Sequence, residues 1–493
     1  MGIIESQATK NVIYSYLGAG LGFLTVIWMP YLMSTDANGL IRILISVSAL
    51  MAQFANLGFS SVTVRLFPYF RNKEKGHHGF LFYGILISLA GFLICWLVFF
   101  LFKQQIIAQN IEKSMLLVDY LFYLMPLTFF TLFFGLFDNY LRACYSSVMG
   151  SFAKEFIQRI LILILLVLFF FKLIDFPVFM LLYVVATCFP TGLLLYKIIQ
   201  LKEWHVKPVR GFMTKKLRTE ILHLSFYSIL SGSAGALIAS IDTIMVNDML
   251  GLNKTGVYGI AFYFGTIIMI PARSLYRIAS SIVAESFKKD DLKTIHSLYN
   301  KSCNNQLTIG LLLFIGIWSN IDNIMALLPV EYSEGRNVIL FISAGYLIDM
   351  ATGINSIIMQ TSKFYKYDGY FMILILLTTI LTNYLLIPKF GIIGSAIATA
   401  ITIASYNIMR WLFIYFKYNM QPYDLNTLKI IVIAAVAFIP GYLLPHLGNL
   451  IIDIAIRSSM ISGVFIFLIL KTEATPEINQ KIRKNLKRFS INL

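Results

Sequence analysis

The sequence predicts an all-α polytopic membrane protein with about 14 transmembrane helices, and three observations lead to this fold class. Of the 493 residues, 58% are hydrophobic and only 13% are charged, whereas soluble proteins are about 25% charged. Apolar runs long enough to cross a bilayer recur along the whole chain. Lys and Arg residues are concentrated in alternate connecting segments. Together these observations exclude a soluble protein.

The apolar runs define the predicted spans in order, because a helix is the structure that satisfies its own backbone groups in lipid. The fourteen spans are residues 12–33, 40–64, 79–102, 115–140, 156–174, 177–199, 221–247, 256–282, 304–329, 337–361, 368–388, 391–416, 428–447 and 449–470. The predicted organisation is a six-helix bundle in 1–200, a basic cytoplasmic linker in 201–219, a second six-helix bundle in 220–418, two additional helices in 419–470 and a basic cytoplasmic tail in 471–493.

The basic residues predict the orientation of these spans. Segments 71–75, 202–218 and 288–301 carry three, six and four Lys or Arg residues, whereas the segments at Lys172 and Lys389 carry one each. Since cytoplasmic loops of membrane proteins are enriched in Lys and Arg, both termini are predicted to be cytoplasmic. The net charge of +16 is then mostly a topology signal, and no nucleic-acid partner is predicted.

Several kinds of chemistry are missing from the sequence. No predicted loop exceeds about 20 residues, and no nucleotide-binding, zinc-protease or catalytic-triad motif is present. The scattered cysteines Cys95, Cys144, Cys188 and Cys303 predict neither a metal site nor disulfides. We therefore predict no catalytic residues, no metal and no cofactor, and a protein that is not an enzyme.

A faint internal repeat relates the two predicted bundles. With an offset of 213, IYSYLGAGLGFL at 13–24 aligns with FYSILSGSAGAL at 226–237, and a shift of four then aligns Gly39 with Gly256. Because an even number of helices separates the copies, the halves are predicted to be parallel repeats. Transporters built from repeats bind substrate between them and alternate access by rocking.

Charged residues inside the spans are costly and are therefore functional candidates once local pairing is subtracted. Three pairs have the four-residue helical spacing of ion pairs: Asp138 with Arg142, Glu155 with Arg159, and Asp453 with Arg457. Asp349, within YLIDMATGINS, and Asp242, among Ser and Thr residues, lack such a partner on their own helix. A buried carboxylate of this kind can take up H⁺ or Na⁺, so both are candidate cation-coupling residues.

Three arginines at the predicted inner ends of spans form a separate candidate set. Arg273 and Arg277 lie one turn apart after Pro271, and Arg65 ends the corresponding helix of the other half. Guanidinium groups bind phosphate through forked hydrogen bonds, which favours a pyrophosphate site. The same positions also suit arginines that extend toward lipid head groups, so both interpretations stay open.

Three stretches resemble a known transporter family. NLGFSSVTVRLFP (56–68), SIDTIMVNDMLGLNKTGVY (240–258) and NYLLIPKFGIIGSAIATA (383–400) are similar to helix two, helix seven and the helix eleven to twelve junction of polysaccharide flippases. The chain thus resembles the Wzx-type O-antigen transporters of the multidrug/oligosaccharidyl-lipid/polysaccharide (MOP) exporter superfamily. The resemblance implies two MATE-like six-helix bundles around a central cavity, and Asp242 and Arg65 fall on recognisable family positions.

The resemblance also implies a function in the cell envelope. It implies a flippase that moves a polyprenyl-pyrophosphate-linked oligosaccharide from the inner to the outer leaflet of the bacterial cytoplasmic (inner) membrane. The product would enter lipopolysaccharide, capsule or exopolysaccharide biosynthesis, with H⁺ or Na⁺ as coupling cation and the polysaccharide polymerase machinery as partner. The alternatives are a multidrug/cation antiporter of the same fold and a lipid II flippase; a membrane glycan polymerase or acyltransferase is least favoured because the predicted loops are short.

Overall fold

The computed structural model describes residues 3–208, 212 and 214–488, and these residues form helices with no β-strand. The helices are α1 (Ile3–Leu32), α2 (Thr35–Ala55), α3 (Phe59–Phe70), α4 (Phe80–Asn110), α5 (Met115–Tyr120), α6 (Leu124–Ala143), α7 (Val148–Ser151), α8 (Gln158–Phe170), α9 (Phe176–Gln200), α10 (Lys215–Thr266), α11 (Ile270–Lys288), α12 (Leu292–Ser319), α13 (Ile321–Ala326), α14 (Gly335–Ala351), α15 (Asn355–Thr361), α16 (Tyr365–Phe390), α17 (Ile392–Tyr418), α18 (Leu425–Leu443), α19 (Leu450–Thr472) and α20 (Pro476–Arg488).

These helices confirm the predicted fold class. Each of the fourteen predicted spans lies on one helix or on consecutive helices of the structure. Within the described part of the chain, nine helices are long and apolar enough to cross a membrane, and the bent pair α14 and α15 makes a tenth. The apolar side chains of α4 are largely exposed, among them Leu93, Ile94 and Leu101, as expected of a helix that faces lipid.

Some predicted spans are interrupted where the sequence suggests continuous helices, and the spans 40–64 and 337–361 are two of them. The span 40–64 breaks between α2 and α3, where Leu57 and Gly58 have φ of 47° and 76°. The span 337–361 breaks between α14 and α15, which are bent by 57°. Hydropathy does not report such breaks, because the residues on both sides remain apolar. Backbone that leaves the helix at membrane depth is tolerated only where protein or a wet cavity surrounds it.

The chain divides into two compact units, Met1–Gly259 and Ile260–Leu493. The sequence places the division of the bundles in the linker 201–219 instead, and that organisation remains a prediction. Helix α10 is interrupted at Gly251, which has φ of 84°. This break separates the predicted spans 221–247 and 256–282.

A glycine crossing in the first unit supports the repeat. A Cβ on Gly39 would lie 2.1 Å from the Leu252 carbonyl oxygen, and a Cβ on Gly256 would lie 2.0 Å from the Thr35 carbonyl oxygen. Thr35 and Leu252 are separated by the same number of residues as Gly39 and Gly256. Exchanging Gly39 with Gly256 and Leu252 with Thr35 turns one contact into the other, as expected of a local twofold relation. Only glycine permits this approach of α2 to α10.

The three ion pairs predicted from helical spacing are confirmed. Arg142 Nη2 lies 2.8 Å from Asp138 Oδ2, and Arg159 Nη2 lies 2.8 Å from Glu155 Oε2. Arg457 Nη2 lies 3.1 Å from Asp453 Oδ1, with both side chains buried. Local pairing therefore explains how these six charged residues are accommodated.

Candidate functional site

The break between α14 and α15 places a carboxylate at an interrupted helix in the second unit. Asp349 lies in the last turn of α14, and Gly353 in the break has φ of 60°, which favours glycine. The Thr352 hydroxyl lies 2.8 Å from the Asp349 carbonyl oxygen and 2.9 Å from Asn407 Oδ1, so its single proton is shared between these two acceptors. The Cys303 thiol donates to the Ala351 carbonyl oxygen, also at 2.8 Å. Both bonds satisfy carbonyl groups that the end of the helix releases.

Asn407 of α17 is the centre of the polar network beside this break. Its Nδ2 donates to Asp349 Oδ1 at 2.8 Å and to the Ile403 carbonyl oxygen at 3.0 Å. Its Oδ1 accepts from the Thr352 hydroxyl and from Asn355 Nδ2, both at 2.9 Å. All four positions of the amide are thereby used, and its orientation is fixed.

Among the described side chains, the donors to the Asp349 carboxylate are neutral. Its Oδ1 accepts from Asn407, and its Oδ2 accepts from the Tyr276 hydroxyl of α11 at 3.3 Å. In the described part of the chain, no Lys, Arg or His forms an ion pair with Asp349. Since a carboxylate offers about four acceptor positions, this one retains capacity for a proton or a cation. The arrangement therefore fits the cation-coupling role predicted for Asp349.

A second carboxylate of the same unit has the opposite environment. Asp368 of α16 accepts from Arg410 Nε at 2.7 Å and from Arg410 Nη2 at 3.1 Å, in a bidentate pair. Arg410 also donates to the Tyr406 hydroxyl at 2.6 Å, and its guanidinium lies 3.6 Å from the centre of the Tyr406 ring. Both charged side chains are buried, with 4% and 5% of their surface exposed. The charge of Asp368 is thus matched by a buried arginine.

Sequence reasoning missed Arg410, Asn407 and Tyr276. An arginine inside the apolar run 391–416 could have indicated a buried ion pair, because burying an unpaired charge at membrane depth costs free energy. Its partner Asp368 could not be assigned from spacing, since the two residues lie on different helices. The amide and the phenol carry no charge, so nothing in the sequence marks them.

Asp242, the second predicted cation-coupling residue, belongs to the first unit. It is 5% exposed, and its Oδ2 accepts from the Tyr258 hydroxyl at 3.3 Å. Thr243 and Asn247 on the same helix are also buried. From the sequence, Asp242 could also have been solvated at the outer end of its span. In the structure its side chain is buried. Its cation-coupling role remains a prediction.

The predicted arginines lie on helices of the two units. Arg65 lies in α3 of the first unit with an exposed side chain. Arg273 and Arg277 lie in α11 of the second unit, one helical turn apart, and their side chains lie outside the described part of the structure. The structure therefore provides backbone positions for all three, and a shared pyrophosphate site remains a prediction.

Comparison with solved structures shows the fold. The chain superposes on a structure titled lipid II flippase MurJ, inward closed conformation, with a TM-score of 0.73 and 17% identity, over 95% of this chain and 98% of that one. An inward-facing MATE multidrug resistance transporter of the MOP superfamily gives a TM-score of 0.62 and 14% identity, over 83% and 94%. A MOP superfamily transporter from Pyrococcus furiosus gives 0.56 and 15%, over 84% and 95%.

Sequence comparison adds a relative and a family. The chain is 22% identical over 225 residues to a Haloferax volcanii protein described as a probable low-salt glycan biosynthesis flippase, Agl15. That match covers 44% of this chain and 47% of the relative, so the chain spans about half the length of the curated relative it matches. Residues 8–283 match the family model described as polysaccharide biosynthesis protein. Because this match covers more than half of the chain, the protein belongs to the polysaccharide biosynthesis protein family.

Proposed function

We propose that the protein is a flippase that moves a polyprenyl-pyrophosphate-linked oligosaccharide from the inner to the outer leaflet of a bacterial cytoplasmic membrane. The family match over residues 8–283 carries this proposal, because it joins a membrane fold to polysaccharide biosynthesis. The transported glycan would enter O-antigen, capsule or exopolysaccharide assembly. Alternating access moves the head group, while the polyprenyl chain stays in lipid.

The pyrophosphate is the most recognisable part of this cargo. In the proposal, Arg65, Arg273 and Arg277 bind it from the cytoplasmic side, since guanidinium groups form forked hydrogen bonds with phosphate. The membrane potential assists this transport. Because the inside of the membrane is negative, moving negative charge outward releases about 2.3 kcal/mol per charge per 100 mV.

Asp349 supplies the coupling to a cation in this proposal. Its carboxylate sits at an interrupted helix, a feature that transporters use to bind coupling ions. Asn407 presents its NH₂ group, and not its oxygen, to the carboxylate, and the oxygen is occupied by Thr352 and Asn355. Na⁺ requires several oxygen ligands, whereas H⁺ requires only the carboxylate. The arrangement therefore favours H⁺, and proton binding at Asp349 would accompany the return step.

Reconstituted vesicles test the proposed cargo directly. Purified protein in proteoliposomes should move a fluorescent polyprenyl-pyrophosphate oligosaccharide to the opposite leaflet, measured by accessibility to a membrane-impermeant quencher. The variant Arg65→Gln should lower the rate at least about tenfold if it loses one charged hydrogen bond worth about 1.5–3 kcal/mol. Lys289→Gln is the matched control, because Lys289 is an exposed cation whose partner is the nearby Glu285.

Two other cargoes distinguish the alternatives in the same vesicles. Transport of lipid II but not of the oligosaccharide would replace the proposed cargo with a peptidoglycan precursor. Efflux of a cationic drug that depends on Asp349 but not on Arg65 would favour a multidrug antiporter. No translocation of the oligosaccharide under any cation gradient would contradict the proposal.

A further inference from the structure

A cluster of metal-ligating side chains lies in the first unit, on elements that the proposed transport does not use. His77 comes from the turn between α3 and α4, Cys144 follows α6, and Glu203 follows α9. One ligand atom of each residue lies within 4.8 Å of the other two. Three segments that are distant in sequence thus bring an imidazole, a thiol and a carboxylate together.

Burial and hydrogen bonds hold these groups in place. His77 is 4% exposed and Glu203 is 7% exposed, and His77 Nε2 lies 2.8 Å from Glu203 Oε2. The Tyr140 hydroxyl donates to the Glu203 carbonyl oxygen at 3.1 Å. The backbone around His77 is also unusual, because Gly76, His77, His78 and Gly79 all have φ between 50° and 72°. Left-handed backbone at a non-glycine residue is rare and often marks a functional site.

We propose that His77, Cys144 and Glu203 bind a divalent transition-metal cation of the Zn²⁺ class. Thiolate, imidazole and carboxylate are the ligands that Zn²⁺ takes in proteins, at distances of about 2.0–2.3 Å. Tetrahedral geometry at those distances separates the ligand atoms by about 3.2–3.8 Å. The ligand atoms observed within 4.8 Å of one another reach this geometry through small side-chain movements. Water completes the coordination as the fourth ligand.

Three interactions of the cluster would change on binding of the cation. His77 Nδ1 accepts from the Asn72 backbone N–H at 3.1 Å, so neutral His77 carries its proton on Nε2 and donates it to Glu203. The cation would take the place of that proton and the ring proton would move to Nδ1, so that the Asn72 N–H would lose its acceptor. Lys73 Nζ, 3.5 Å from Glu203 Oε1 and 70% exposed, leaves the carboxylate. The thiol proton of Cys144 is released to solvent.

The positions of the ligands indicate what the cation would do. The turn at His77, the residue after α6 and the residue after α9 all lie in segments whose basic residues predict the cytoplasmic side. There the thiol stays reduced and available as a ligand. A bound cation would link the start of α4, the end of α6 and the segment that follows α9 through His77, Cys144 and Glu203.

Cobalt and zinc titrations of the purified full-length protein in detergent test this inference. After treatment with a chelator, wild-type protein should bind one Co²⁺ with the visible absorption of a tetrahedral site and a thiolate-to-cobalt charge-transfer band, and Zn²⁺ should displace it. Cys144→Ser and Glu203→Gln should each weaken binding by more than about tenfold, and Cys144→Ser should abolish the charge-transfer band. Lys73→Met should strengthen binding, because it removes the competing cation.

Two matched variants serve as controls. Cys188→Ser changes another cysteine of the same unit, and His78→Asn changes the neighbouring histidine, whose ring stacks on Phe212 at 3.8 Å. Both should bind Co²⁺ like the wild type. Loss of the charge-transfer band in Cys188→Ser instead of Cys144→Ser, or wild-type protein that binds no Co²⁺, would overturn the inference. These readouts are independent of transport, so they stand apart from the proposed function.

Discussion

Asp349 and Asp368 are carboxylates of the same unit, and helix α17 provides a partner to each. Asn407 donates a neutral amide to Asp349 at 2.8 Å, whereas Arg410, three positions later, forms a bidentate ion pair with Asp368. Residues three apart lie on the same side of a helix. Among the described residues, α17 thus gives Asp368 a charged hydrogen-bond donor and Asp349 a neutral one.

This difference distinguishes the ion-paired Asp368 from Asp349, the proposed cation-coupling residue. A buried ion pair is a fixed feature, because removing one partner leaves an uncompensated charge. A carboxylate held by neutral donors can exist in two states, with or without a bound cation, and can link its occupancy to conformation. Depth in the membrane alone therefore does not distinguish Asp349 from Asp368, whereas the charge of their described hydrogen-bond donors does.

The largest expected effect is on stability when the closed pair is broken. Asp368→Asn should lower the stability of the purified protein by about 3–5 kcal/mol, because Arg410 remains buried and unpaired. Thermal unfolding in detergent, followed by size-exclusion chromatography, measures this. The double variant Asp368→Leu/Arg410→Met should recover most of the loss. Equal stability of wild type and the single variant would show that Asp368 and Arg410 are not a structural pair.

A smaller loss is expected when the shared amide is removed. Asn407→Ala leaves the Thr352 hydroxyl, the Asn355 amide and one oxygen of Asp349 without their common partner. We expect a loss of about 2–3 kcal/mol, the cost of leaving buried polar groups unpaired. Asn426→Ala is the control, since among the described residues that amide accepts a bond from Lys429 near the surface. Identical melting of the two variants would argue against Asn407 as the centre of the network.

Thr352→Val probes the contact between the helix break and the network. The substitution preserves shape but removes the hydroxyl that contacts Asn407 and the Asp349 backbone. The expected loss is about 1 kcal/mol. Thr378→Val removes an exposed hydroxyl that donates to the Leu374 carbonyl oxygen of its own helix, and it should lower the stability less. A larger loss in Thr378→Val would contradict the assignment of a structural bond to Thr352.

Asp349→Asn should have the smallest effect on stability. An asparagine can accept from Asn407 and donate to the Tyr276 oxygen, and no buried cation is left unpaired among the described residues. We expect a change of less than about 1 kcal/mol. If Asp349→Asn destabilised the protein as much as Asp368→Asn, the contrast between the two carboxylates would disappear.

Features that depend on local spacing or on apolar length could be predicted from the sequence. The spans followed from runs of apolar residues, and the pair Asp453 and Arg457 followed from helical periodicity. Gly39 and Gly256 were aligned by the repeat before the structure showed their reciprocal contact. In each case the deciding information lies within one helix or in a direct comparison of two segments.

Features assembled from different helices could not be predicted. Asp349 was identified by its depth, but its partners Asn407 and Tyr276 come from α17 and α11. The cluster of His77, Cys144 and Glu203 has no sequence spacing of a metal motif, because the fold alone brings its members together. The break after Asp349 was also missed, since Thr352 and Gly353 are compatible with a continuous apolar run.

The coupling role of Asp349 is tested most directly by transport under an imposed proton gradient. Proteoliposomes with wild-type protein or Asp349→Asn are given a pH gradient or a Na⁺ gradient directed toward the cytoplasmic face, and translocation of the polyprenyl-pyrophosphate oligosaccharide is followed. We predict that the pH gradient accelerates wild-type transport, that the Na⁺ gradient does not, and that Asp349→Asn responds to neither. Acceleration of Asp349→Asn by the pH gradient to the same extent as the wild type would contradict a coupling role for this carboxylate.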